Sequence, residues 1–134
     1  VELAALPDQY LWTAFGGKLV EQSVHFKTGI EAVEAAFAGK AGGVFATKAQ
    51  LEAGQFKAHN NNKSDKKNRK LTIRDLPLPN FPGRAWDVGM AVAEDARSLG
   101  AALGQQIELI SKDGRLDQIF ANHGVTRQIP VLTA

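Results

Sequence analysis

The chain has 134 residues and a mass of 14.4 kDa, the size of one domain. Apolar residues at 44% against 22% charged exclude a disordered chain, and at this length roughly two-thirds of the unfolded surface is open to burial. The absence of cysteine excludes a disulfide scaffold, a thiolate metal site and a cysteine nucleophile, and no apolar run reaches the roughly 18 residues of a membrane span.

A first helix is predicted from Asp8 as its cap through Trp12 to Phe15, stopped by Gly16-Gly17. The β-branched and aromatic residues of 18–26 predict a strand. Thr28 stands three residues before Glu31, the spacing of a capping box, and Ile30, Val33, Ala36 and Phe37 follow at helical spacing up to Gly39. A short apolar strand is predicted over 41–47 and a helix over 48–56. Residues 57–70 then read as a solvated basic loop. Lys57, Lys63, Lys66, Lys67, Arg69 and Lys70 face only Asp65, a local charge of +5, while the remaining chain carries −3. A nucleic-acid surface would interleave aromatics, and this run has none.

Leu71 to Arg74 alternates as a short strand, and Pro77, Pro79 and Pro82 then favour an extended connection. Residues 85–92 (AWDVGMAV) read as another strand, apolar apart from Asp87. Asp95 or Ser98 opens a helix with Leu99, Leu103, Ile107 and Ile110 on one stripe, broken at Asp113-Gly114. A last helix carries Leu116, Ile119 and Phe120 and ends at Asn122-His123-Gly124. The alternation of helices and strands predicts an α/β fold with a mostly parallel sheet.

Motifs for chemistry are sparse. His25, His59 and His123 lack metal-ligand spacing, so no metal is expected. Gly16-Gly17, Gly39 and Gly42-Gly43 match neither a phosphate loop nor a dinucleotide fingerprint. No serine has a nucleophile-elbow context, and no two acids pair as general acid and base. Neither catalysis nor a cofactor is expected. Trp12, Phe45 and Trp86 remain as a ligand wall or as plain core.

Two stretches carry a family resemblance. Residues 28–47 (TGIEAVEAAFAGKAGGVFAT) resemble the middle of the periplasmic, or extracellular, solute-binding proteins of the amino-acid ABC-transporter type. Residues 86–125 resemble that family's C-terminal signature, through Gly89-Met90-Ala91-Val92, Lys112-Asp113-Gly114-Arg115-Leu116 and the run from Ile119 to Val125. The resemblance implies the type 2 periplasmic binding protein fold. Residues 1–80 stand for its second lobe, and 81–134 for a crossover linker and a C-terminal segment returning to the first lobe. Members of the family are much longer, so the chain reads as a truncated or processed piece.

The same resemblance implies a periplasmic protein that binds a small ligand in an interlobe cleft and docks on a transporter permease, with Leu6, Thr47 and Trp86 on the cleft side. Two positions depart from the family's amino-acid site. Ala4-Ala5-Leu6-Pro7 replaces its hydroxyl-bearing turn, and Thr47 replaces the aspartate that pairs with a ligand ammonium. An accessory branch of the same fold serves periplasmic quinoprotein dehydrogenases. It implies the alternative function, a protein–protein accessory module with a degenerate cleft. Lys66, Lys67, Arg69 and Lys70 would then meet an acidic redox partner, and a homodimer would cover any exposed apolar face.

Overall fold

The computed structural model describes residues 1–61, 71–81 and 85–130. Among them lie five α-helices: α1 (Leu6–Thr13), α2 (Gly29–Phe37), α3 (Lys48–Asn61), α4 (Arg97–Lys112) and α5 (Arg115–Asn122). Short 3-10 turns at Ala14–Gly17 and Glu94–Ala96 follow α1 and precede α4.

The centre of the fold is the α2–α3 pair. Thr28 caps α2 as its spacing predicts, its hydroxyl accepting from the Glu31 amide at 3.1 Å. Glu31 reaches back to the Lys27 amide at 3.2 Å, one residue before the amide a capping box uses. At the other end Gly39, at φ +76°, turns the chain out of the helix. The Lys40 amide donates to the Ala35 carbonyl and the Gly39 amide to that of Ala36, the pairing of a Schellman motif. The buried side of α2 is built from Ala32, Val33, Ala35, Ala36 and Phe37, and Ala58 of α3 joins them. Small residues let the two helices approach closely. At Gly54 a Cβ would stand 2.7 Å from the Val33 Cβ, so only glycine fits. Val44, Leu51 and Leu71 pack around this cluster.

The second pair, α4 and α5, turns at Gly114 with φ +83°. The Asp113 carboxylate accepts from the Arg115 amide at 3.0 Å and holds the Arg115 side chain at 2.7 Å. Leu103, Ile110, Leu116 and Phe120 are half-buried, and neither helix has a buried residue. Gly124 ends α5 with a second Schellman pairing, Val125 to Phe120 and Gly124 to Ala121. The tail then crosses back. The Thr126 amide donates to Glu52 of α3 at 2.9 Å, while Arg127 bridges Asp117 of α5 and Ser111 of α4.

The expected α/β architecture is overturned. No strand or sheet forms among the described residues, and the pairing that exists is a single parallel bridge between Glu2 and Phe26. Each predicted strand meets a different fate. Residues 18–22 curl into turns closed by bonds such as Val20 to Gly17 and Ser23 to Val20. The 41–47 run is irregular and delivers Val44 to the helical core. Residues 71–74 form no ladder, and the Leu71 carbonyl accepts from the Gln55 side chain instead. Residues 85–92 run without helix, turn or bridge. The physical reason is common to all four. β-branched and aromatic residues favour a pleated surface only where neighbours supply a ladder, and these segments do not lie side by side.

Helix boundaries also shift. The first helix starts at Leu6, so Asp8 lies inside its first turn and does not cap it. The third helix runs five residues beyond Phe56, and Lys57 to Asn61 of the predicted basic loop are helical. No helix among the described residues is long and apolar enough to cross a membrane.

Candidate functional site

Polar side chains gather where the segments entering α1, α2 and α3 meet. Asp8 is the one buried charged residue described, at 2% exposure. Its Oδ2 accepts from the Ala4 amide at 2.9 Å, and its Oδ1 lies 2.8 Å from His25 Nε2. Burial disfavours the anion, but the Ala4 amide, His25 and the Trp12 side chain outweigh it and hold the carboxyl below the usual aspartate range. The ionised carboxylate therefore accepts, and His25 donates through Nε2. Ala4 sits at φ +60°, an uncommon backbone for alanine, stabilised by this bond.

A second node lies between α2 and α3. Glu2 Oε2 accepts from the Gly29 amide, the first of α2, at 2.9 Å. It accepts as well from the Gln50 side chain at 2.5 Å. A carboxylate at a helix N-terminus is favourably placed in the helix field. Gln50 in turn exchanges hydrogen bonds with Thr47. The Gln50 amide donates to Thr47 Oγ1 at 3.3 Å, and the Thr47 amide donates to Gln50 Oε1 at 3.2 Å. This is a reciprocal cap on α3 in the Thr-x-x-Gln form.

Two shallow hollows flank these nodes. One of about 390 Å³ is lined by Leu3, His25, Phe26, Lys27 and Glu31. The other, about 290 Å³, lies among Ile30, Ala53, Phe56, Lys57, Asn60, Asn61 and His123. Asp8 orients His25 as a carboxylate orients a catalytic base, but no hydroxyl or thiol side chain lines the hollow beside it. Among the described residues no group of acids and histidines could hold a metal ion, and no buried side-chain N or O atom lacks a partner. The polar nodes are thus internally satisfied.

The three residues expected on a cleft side do not share either hollow. Leu6, half-buried, opens α1 one turn before Tyr10. Tyr10 meets Phe45 edge-on at 6.0 Å and Phe81 at 5.2 Å, and its hydroxyl donates to the Pro79 carbonyl at 3.1 Å. Thr47 stands two residues beyond Phe45 with its hydroxyl and amide committed to Gln50. Trp86 lies on the helix-free segment 85–93, half exposed. Of the aromatics weighed as a ligand wall, Phe45 joins the Tyr10–Phe81 cluster, while Trp12 and Trp86 are each a little more than half exposed. Lys66, Lys67, Arg69 and Lys70 lie outside the described residues.

Sequence reasoning missed Glu2, Gln50 and the Asp8–His25 pair. The Thr47-x-x-Gln50 spacing was a legible signal for the cap. Nothing local marks Glu2, whose partners stand 27 and 48 residues away. No protein-family model, curated protein or solved structure matches the chain.

Proposed function

We propose that the chain is a non-catalytic protein-contact module, an accessory to a periplasmic enzyme of the quinoprotein dehydrogenase kind, and that it does not work by enclosing a small solute. The observation that supports this reading is the surface. The chain exposes 10396 Å², where a compact monomer of 14.4 kDa exposes roughly 6,800 Å². Large apolar side chains lie on it, with Leu76, Val88, Met90, Leu99, Leu109 and Ile119 each about half exposed or more. So many large apolar side chains left open to solvent suit a contact with another macromolecule. The two hollows are open and shallow, unlike the enclosing pockets that bury most of a small ligand. The kind of partner comes from the likeness of residues 85–92 (AWDVGMAV) to the accessory branch, and the basic run of 57–70 suits an acidic one.

The test immobilises the chain and passes a purified periplasmic quinoprotein dehydrogenase over it, alongside thermal melts with a panel of amino acids. Saturable enzyme binding that weakens as salt rises is expected, with no solute raising the melting temperature. A solute that stabilises the chain, with no binding of the enzyme, would overturn the reading.

A further inference from the structure

We infer that two copies of this chain associate by antiparallel pairing of the segment 85–93, with Gly89 opposite Gly89 on a two-fold axis. Residues 85–93 run without helix, turn, bend or bridge, and Ala93 closes the stretch in the extended region at φ −61°, ψ 152°. Every residue in it is exposed. Among the described residues, no amide or carbonyl from 85 to 92 has a hydrogen-bond partner. Such a row of open backbone groups is a template for another strand. The described part of the chain contains no sheet edge to receive it.

The side chains name the occupant. In an extended backbone alternate residues share a face. The even positions are Trp86, Val88, Met90 and Val92, exposed by 52%, 88%, 61% and 38%. The odd positions are Ala85, Asp87, Gly89, Ala91 and Ala93, all small or polar. This order is nearly symmetric about Gly89. A two-fold contact requires a patch that complements itself. With Gly89 on the axis, Trp86 faces Val92 and Val88 faces Met90 of the other copy, twice over, on a single apolar face. Asp87 faces Ala91, so no like charges stand directly opposite. A one-residue shift would put large side chains opposite small ones and split the apolar face.

A lone two-stranded ribbon is marginal in water, and α4 supplies the layer beneath it. Val92 already rests on α4, its Cγ2 3.0 Å from where a Cβ of Gly100 would stand. The pairing brings Trp86 of the second copy beside Val92, over the N-terminal turns of α4, where Leu99 is exposed. The surface in excess of a compact monomer, about 3,500 Å² per chain, is several times the roughly 800 Å² each partner gives to a standard interface.

The inference rests on the same exposed surface as the proposed function, and its test is separate. Sedimentation velocity on the full chain, from about 1 to about 100 µM, should show a species of twice the chain mass. Val88→Lys and Met90→Glu should each weaken the dimer at least about tenfold, because each buries two unpaired charges. The variant carrying both sets opposite charges across both 88–90 pairs and should recover most of that loss. The segment makes no internal ladder, so helical circular dichroism should be the same in all four proteins. A monomer at every concentration overturns the inference and leaves dehydrogenase binding to its own test. A dimer indifferent to the single changes, or one the double change does not restore, overturns the stated register.

Discussion

Asp8 shows how one side chain can organise a junction. It ties the Ala4 amide, in strained backbone, to His25 on the segment leading into α2. Its carboxyl is held below the usual range, so between the folded and unfolded pKa values the unfolded chain binds more protons. Stability from Asp8 is therefore complete above the ordinary aspartate value of about 4, and is lost as pH falls through the lower folded value. Asp113 and Glu108 are also held low, by the Arg115 amide and by Lys112, and add exposed, screened contributions of the same sign. Asp8→Asn should cost about 1–2 kcal/mol at neutral pH. It should also flatten, without abolishing, the dependence of stability on pH below about 4. Urea titrations of both proteins across that range check this. An unchanged slope would mean that Asp8 does not couple folding to protons.

At the scale of elements, glycine has opposite meanings in two helices. Gly54 of α3 faces Val33 of α2, with a Cβ position 2.7 Å from the valine Cβ. Gly104 of α4 has nothing within 4 Å. Helix propensity alone favours alanine at both by roughly 1 kcal/mol. At Gly54 the overpacking cost of about 1–3 kcal/mol exceeds that gain. Gly54→Ala should therefore lower stability and Gly104→Ala raise it by up to about 1 kcal/mol, as thermal melts would show. Stabilisation at both positions would mean that the α2–α3 contact is loose. The strands fail for a reason at this scale too. A helix closes its own hydrogen bonds, whereas a strand borrows half of its structure from a neighbour.

For the whole molecule, surface is the governing quantity. The exposed 10396 Å² is about half of the unfolded chain's surface, so burial falls short of the two-thirds open to a chain of this length. Among the described residues the buried apolar side chains are few and half of them alanine: Val1, Pro7, the α2 face and Ala58. Because the urea m-value follows the surface exposed on unfolding, the monomer should show an m-value about one-quarter below that of a compact protein of its length. Urea unfolding at protein concentrations below those that give a dimer checks it. A full-sized m-value would mean that the free monomer buries this surface internally.

The legible parts of this protein were those whose hydrogen bonds close within a few residues. The Thr28 cap, the helix stops at Gly39, Gly114 and Gly124, and the helices at α2, α3, α4 and α5 all follow from local spacing. The absence of cysteine was decided there as well. The polar nodes were half legible. Thr47 and Gln50 sit in cap spacing, but Glu2 and the Asp8–His25 pair join residues far apart in the chain. The sheet was misjudged because pattern reports which residues suit a strand and not whether another strand lies beside them. Whether 85–93 pairs, and which surfaces stay open, depends on contacts between distant segments, and only tertiary structure sets those contacts.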